Sequence, residues 1–323
     1  MRDVAEHAGV SLKTVSRVIN AEAGVAPATA AKVTGAIDVL GFERNDLARS
    51  LRQGRSSATL GLVIEDVANP FYSAVAQAVE AAARDRGFLL ITASAREDAE
   101  RERELIGALL RRRVDALLIV PAGPDHRYIS NGLRTVFLDR PPQGIATDTV
   151  LLDNLGGARR AVEHLIAHGH TRIGCVADSA ELYTMRERLA GYREALHTAG
   201  LEEDPALVMT GTHEAIAAQA AAEHLLDLPD QRRPTAIFAA NNRNTVGVLH
   251  ALAGRERNVA LVGFDDFELA DLLGTTVIRA DPWRLGEQAA ALAFGRLDGD
   301  DRPPLEITVP TQLIARGSGE VGP

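Results

Sequence analysis

The sequence predicts an α/β protein in two parts: a small three-helix head, then a large core of parallel sheets with helices on both faces. Three observations carry this. Helical spacing and glycine stops fill the first 42 residues. From Leu60 onward, short apolar runs alternate with amphipathic stretches of helical period. Those runs are continuously apolar rather than alternating, as strands buried on both faces must be.

In the head, residues 4–9 read as a short helix that ends at Gly9. Ser11 is suited to cap a second helix over 12–19. Two short helices joined by a tight glycine-containing turn are a helix-turn-helix pattern. The second helix divides by face: Val15, Val18 and Ile19 can pack inward, while Lys13, Thr14, Ser16 and Arg17 are polar. The segment 26–29 opens a third helix over 30–40, which Gly41 stops. Residues 45–52 form an amphipathic segment between Gly41 and Gly54, too short to be a stable helix alone. It reads as a solvated linker or as a hinge that orders only on a partner.

In the core the apolar runs are LGLVIED, FLLITA, ALLIVPA, TVFLD, TRIGCVA, TAIFAA, VALVGF and TVIRA. Helices are expected between most of them, at 72–86, 99–112, 155–168, 186–199, 214–226 and 282–297. The count exceeds one tidy sheet, and a break is expected near Asp153-Asn154. The tail GSGEVGP is poor in apolar residues and is expected to fray.

A length of 323 residues corresponds to about two domains. Aromatics are only 4%, so the core must be built from Ala, Leu, Val and Ile. The net charge of −9 argues against nucleic acid if read globally. Locally it does not: the first 58 residues carry eight Lys+Arg against six Asp+Glu, and the remainder 27 against 38. A mildly basic head on an acidic body fits DNA contact by the head alone. The single cysteine, Cys175, lies in an apolar run and reads as a buried strand residue of a protein in the reducing cytoplasm. No signal-peptide pattern or membrane-spanning stretch is visible, which also points to the cytoplasm. No H-E-x-x-H, G-x-S-x-G or Walker pattern occurs, so no enzyme activity, cofactor or metal is expected.

AGVSLKTVSRVIN, followed by GFERNDLARSLRQGRS and GLVIEDVANPFY, resembles the lac repressor (LacI/GalR) family of bacterial transcription regulators, over residues 2–316. The resemblance implies a helix-turn-helix domain at 1–44, a hinge helix and linker at 45–58, and a periplasmic-binding-protein-like (type I) core at 59–318. That core would have two Rossmann-like subdomains, the first at about 59–152 and 282–306, the second at about 153–281 and 307–318. It further implies a homodimeric repressor, released from a palindromic double-stranded operator by a sugar or sugar derivative. Two alternatives stay open: a co-repressor-dependent or activating regulator, and a cytoplasmic sugar-binding module with a vestigial head. No leucine heptads follow Arg316, so a tethered tetramer is not expected.

By the same resemblance, Leu12 and Lys13 sit at the main base-reading positions, and Arg17 reaches a base or phosphate. Ser11, Thr14, Ser16 and Asn20 suit phosphate contacts. Leu12, three before Val15, could instead be a core residue. Leu51 matches the family's minor-groove leucine, which wedges a base step apart. Ala48 is small enough for close approach, and Asn45, Arg49 and Arg52 can meet the backbone. One departure is that Met1 directly precedes Arg2-Asp3, which removes a cap and phosphate contacts from the first helix.

Ligands of open α/β sheets bind outside the carboxyl ends of the strands. There the resemblance places Arg186, in MRERLAGY, as the arginine that grips the effector. Asp265 is its acidic partner, Asn241 and Asp139 are polar liners, and Phe71 or Tyr72 covers an apolar sugar face. His213 falls near a position that often carries an aromatic. The plain alternatives are a helix cap for Asp265 and a surface ion pair for Arg186. Asn242 stands where the family usually has aspartate, with Arg243 beside it, so an anionic ligand such as a sugar acid is a further alternative.

Overall fold

The structure, a computed structural model, describes residues 1–19, 22, 24–42, 57–129, 133–255 and 259–323. Asn20, Asn45, Ala48, Arg49, Leu51 and Arg52 lie outside the described residues, as does most of the expected hinge. The chain divides into two compact units, Met1–Ser57 and Ala58–Pro323.

The first unit holds three helices among its described residues: α1 (Arg2–Ala8), α2 (Leu12–Ile19) and α3 (Pro27–Leu40). Gly9 and Gly41 end α1 and α3 in the left-handed conformation that glycine adopts without strain. Ser11 Oγ accepts the Thr14 N–H at 3.1 Å and so caps α2. α1 has no side-chain cap at Met1. Val4, Ala5, Val15, Val33 and Ala36 form the core of this small bundle.

The second unit contains two six-stranded sheets. In chain order the elements of the first half are β1 (Thr59–Ile64), α4 (Pro70–Asp85), β2 (Leu89–Ser94), α5 (Ala99–Arg111), β3 (Ala116–Ile119), β4 (Arg134–Leu138) and β5 (Asp148–Leu152). The second half has α6 (Asn154–Ala167), β6 (Ile173–Val176), α7 (Tyr183–Thr198), β7 (Val208–Met209), α8 (Ala215–Leu226), β8 (Ala236–Ala239), α9 (Asn242–Leu252), β9 (Ala260–Phe264) and β10 (Thr276–Arg279). Then α10 (Pro282–Leu297), β11 (Glu306–Val309) and β12 (Gln312–Ile314) follow. The strand orders β11-β5-β4-β3-β1-β2 and β12-β10-β9-β8-β6-β7 are the same pattern twice. All pairings are parallel except β10 with β12. The central strands are buried throughout, as their unbroken apolar runs require.

Several expectations need correction. β11 pairs with β5 in the first sheet, so residues 307–309 belong to the first subdomain. The chain returns to the second sheet only at β12. α7 begins at Tyr183, three residues before the expected 186. β5, β7 and α9 were not anticipated as elements. α9 opens on the polar string Asn242-Arg243-Asn244, which reads as a turn until Asn241 is seen capping it. The tail does not fray. Leu261 N–H donates to the Ser318 carbonyl at 2.8 Å, and Ser318 Oγ donates to the Leu261 carbonyl at 2.6 Å. Glu320 accepts from Thr276 Oγ1 at 2.9 Å and pairs with His164. Polar anchors do here what the missing apolar residues could not.

α6 and α7 cross at Gly191, where an added Cβ would overlap the Leu155 carbonyl oxygen and meet the Arg159 nitrogen at 2.9 Å. Both obstacles are backbone, so neither can give way. Gly191→Ala should destabilise the core by about 1–3 kcal/mol, the usual cost of overpacking, in urea unfolding. An unchanged unfolding midpoint would contradict this contact.

Candidate functional site

In the head, α2 buries Val15 and leaves Leu12 47% exposed. The core alternative for Leu12 therefore fails, because its side chain faces away from the bundle. Lys13 is exposed beside it, and Thr14, Ser16 and Arg17 are half-buried. The Ser11 and Thr14 hydroxyls lie 2.9 Å apart and bond to each other. Arg17 pairs with Glu22 at 3.7 Å. One end of α2 thus presents an apolar and a cationic side chain next to each other, set on the helix by its cap.

In the core, the carboxyl ends of the two sheets converge on a cleft. β4 and β9 hold the same place in their sheets, third from the edge. Each is followed by an aspartate with a left-handed backbone, Asp139 at φ 65° and Asp265 at φ 68°. The equivalence extends to hydrogen bonds: Asp139 N–H donates to Val150 and Asp265 N–H to Ile278, each in the neighbouring strand. Non-glycine residues are held in that conformation at a cost, and such strain concentrates at functional sites.

The two acids are supported differently. Asp139 Oδ2 accepts from Tyr72 Oη at 3.0 Å, and Tyr72 meets Phe71 edge-on at 5.1 Å. Burial and the adjacent Asp139 hold the Tyr72 hydroxyl protonated, far above the usual phenol range. Arg140, the next residue, makes a two-pronged pair with Glu97, while its Nε lies 3.7 Å from Asp139 Oδ2 and is buried with no hydrogen bond among the described residues. Asp265 Oδ2 accepts from Arg188 Nη1 at 3.2 Å. The Arg188 guanidinium also donates to Asn154 Oδ1 at 2.8 Å and the Ala240 carbonyl at 2.6 Å, and lies 3.6 Å over the Phe264 ring. Burial pushes the Asp265 carboxyl up and Arg188 opposes it. Its second oxygen, Oδ1, is buried with no hydrogen-bond partner among the described residues.

An inner pocket of about 50 Å³ gathers Phe71, Tyr72, Asp139, His213, Asn241 and Asp265. Arg186 is not among them. It is exposed, donates to the Glu181 carbonyl at 2.7 Å, and lines a wider outer chamber of about 710 Å³. The arginine that meets Asp265 is Arg188, two residues on. A shift of two turns a helical side chain by about 200°, so the two arginines cannot share a face. The sequence did hold the signal: Arg188 is one turn before Gly191, the residue that faces α6, and Arg186 is not. Glu65, Glu97, Arg140, Asp178, Arg188 and Arg243 are further charged groups of the pocket that the resemblance did not assign. Asn241 is both liner and cap, its Oδ1 accepting the Asn244 N–H at 2.7 Å.

His213 donates from Nδ1 to Asp178 Oδ2 at 2.8 Å, and Nε2 lies 3.3 Å from Arg243 Nη1. The Asp178 bond raises the His213 pKa above 6.5 against the opposing effect of burial. Asp178 is affected the other way: burial alone would raise it, but bonds from His213 and the Ser179 N–H hold it below 3.8. The histidine's contribution to stability is therefore complete below about 6.5 and is lost as pH rises through its raised folded value. His213 ring protons should titrate above 6.5 by NMR, and Asp178→Asn should bring the midpoint down. A wild-type midpoint at or below 6.5 would contradict the pairing.

Comparison with known proteins agrees with this architecture. Residues 1–45 match the model of bacterial regulatory proteins of the lacI family, and residues 162–319 match a periplasmic binding protein-like domain. The chain is 34% identical to the ribose operon repressor of Escherichia coli (strain K12), over 98% of this chain and 99% of that protein. It is 35% identical to the HTH-type transcriptional regulator CelR of Thermobifida fusca, over 98% of this chain and 97% of the other. Among solved structures, the lac repressor dimer bound to operator and the anti-inducer ONPF superposes with a TM-score of 0.84 at 26% identity, covering 99% of this chain and 98% of that one. A complex of CelR with cellobiose gives 0.72 at 32% identity, covering 98% of each chain. The chain therefore belongs to the LacI family of bacterial regulatory proteins and is a DNA-binding transcription regulator of that family.

Proposed function

We propose that this regulator is a homodimeric repressor of the cytoplasm, released from a near-palindromic operator by a small uncharged sugar. The observation that carries the effector reading is the unpartnered Asp265 Oδ1, an acceptor buried in the inner pocket. A buried acceptor without a partner is costly, and a sugar hydroxyl is a donor of the right kind. Arg140 Nε, ion-paired with Asp139 at 3.7 Å but without a hydrogen bond, supplies a matching donor. Phe71 gives the apolar surface that one face of a sugar ring needs. The relatives are named for ribose and complexed with cellobiose, both uncharged sugars.

A sugar acid is the weaker reading. Arg243, the cation that suggested it, is already paired with Glu65 at 3.3 Å and Asp66 at 3.2 Å. An incoming carboxylate would meet those acids as well as the guanidinium. The assigned roles are then these: Asp265, Asp139, Asn241, Arg140 and Arg188 bind hydroxyls, and Phe71 and Tyr72 cover the ring. Arg186 serves the outer chamber.

On DNA, Leu12 and Lys13 read base edges, with Arg17, Ser11, Thr14 and Ser16 positioning α2 on the backbone. Asn20, Asn45, Ala48, Arg49, Leu51 and Arg52 complete this surface by resemblance. A single head offers few base contacts, so two must act together. Leu269, Leu272 and Leu273 support self-association, being 53%, 79% and 54% exposed within one short segment. Effector binding favours one arrangement of the two subdomains and so changes the operator affinity of the heads.

Fluorescence anisotropy with DNA from upstream of the gene and its neighbours tests this at fixed salt, against a scrambled duplex. Tight binding to one fragment, weakened by a pool of neutral sugars, is the expected result. Binding strengthened by the pool would make the effector a co-repressor. Equal weak binding to both duplexes would contradict the regulator reading. Lys13→Ala should weaken the specific fragment about ten-fold or more, and the scrambled duplex much less.

A further inference from the structure

The cleft is crossed by a set of polar contacts that belong to the protein alone. Asn242 and Arg243 stand in the first turn of α9, in the second subdomain. Glu65, Asp66 and Asn69 follow β1, in the first. Arg243 Nη1 donates to Glu65 Oε1 at 3.3 Å, and Nη2 donates to Asp66 Oδ2 at 3.2 Å. Asn242 Nδ2 donates to Asn69 Oδ1 at 2.9 Å. Asn69 is fixed in turn by capping α4, where it accepts the Phe71 N–H at 3.1 Å.

Two features set Arg243 apart from an ordinary surface cation. The first turn of a helix is the positive end of its dipole, where a cation is unfavourable unless acids offset it. Here Glu65 and Asp66 do so from the other subdomain, and Glu214 adds to them from Arg243's own. The pair is also shielded: the Arg243 side chain is 19% exposed and that of Glu65 5%. Screening by water and salt, which makes exposed pairs weak, is reduced in such a place. Burial raises the Glu65 pKa, and Arg243 and then His213 oppose the rise. Other charged groups near the contact are Glu97, Glu214 and His213, whose Nε2 lies 3.7 Å from Glu65 and 3.9 Å from Glu214 and whose Nδ1 is bonded to Asp178.

We infer that Arg243 is a built-in latch, which holds the two subdomains together across the cleft before any effector arrives. The contacts need no ligand, join the subdomains at the inner pocket, and involve residues that the pocket itself is built from. The protein is then biased toward the arrangement in which these contacts form by its own ion pairs. An effector that occupies the inner pocket must break or rearrange these contacts, so its binding shifts the subdomains away from the latched arrangement. The inference holds whatever the effector is.

Electron–electron distance measurements on the full chain test it directly, without effector or DNA. Spin labels at Asp125→Cys and Arg232→Cys report one position in each subdomain. The native Cys175 is fully buried, its thiol pushed up to about 12, and does not compete for label. Labelled protein is diluted into unlabelled protein so that only distances within one protomer are read. The otherwise native protein should give one narrow distribution. Arg243→Gln should give a broader and longer one, Arg243→Lys an intermediate one, and the swap Arg243→Glu with Glu65→Arg should bring the distance back. Salt of about 1 M should change the native distance far less than Arg243→Gln does, because the pair is shielded from screening. Should Arg243→Gln fail to fold, Glu65→Gln with Asp66→Asn must produce the same lengthening. Identical distributions for native and folded latch variants would overturn the inference, as would a native distribution already as broad as theirs.

Discussion

The buried ion pair between Arg188 and Asp265 is the constraint on which the effector half of this structure depends. One guanidinium ties together the end of β9, the end of β8, the start of α6 and the middle of α7. Its position follows from Gly191, which lets α7 come close enough to α6 for Arg188 to reach Asn154. Removing one partner of a buried pair typically costs about 3–5 kcal/mol, because the other charge is left uncompensated. The pair is also incomplete, since one Asp265 oxygen remains unbonded. Stability and recognition therefore meet at one carboxyl group: Arg188 fixes it in place and opposes the pKa rise that burial causes, and its free oxygen is left for a ligand.

The duplicated sheet explains why the cleft is two-sided. The same strand order occurs twice, and the same strand in each half ends in a left-handed aspartate. The two acids then diverge. Asp139 accepts a phenol and Asp265 a guanidinium, so the halves present different faces to a ligand between them. The chain crosses between sheets three times, after β5, after β10 and after β11, which leaves the subdomains tied yet able to shift. Such a hinge suits a regulator, where a small molecule must change the relation between two bodies.

Much of the fold was legible because its signals are local. Continuous apolar runs gave the buried strands, and Gly9, Ser11 and Gly41 marked the helix ends in the head. What stayed hidden depends on distant partners. β11 has only four residues, and its sheet is set by β5, more than 150 residues earlier in the chain. The tail is held by Thr276, His164 and Leu261, none of which its composition reveals. In the site, Asp265, Asp139 and Asn241 follow strands closely, where a short turn fixes a residue's place, and they line the inner pocket, as do Phe71 and Tyr72 in the first turn of α4. The arginine was not readable in this way, because a helix places neighbouring residues on different faces. Choosing Arg188 over Arg186 needed the packing face of α7. The partners Glu97 and Asp178 could not be found from spacing at all.

The most direct test of this account is calorimetric titration of the sugar that releases DNA. It compares the native protein with Asp265→Asn and Arg186→Ala. Asp265→Asn keeps the shape of the side chain and removes its charge. It should weaken binding about ten-fold or more, equivalent to at least ~1.4 kcal/mol, whereas Arg186→Ala should stay within about two-fold, under ~0.5 kcal/mol. Full affinity in Asp265→Asn, with loss in Arg186→Ala, would contradict the central role of the Arg188–Asp265 pair.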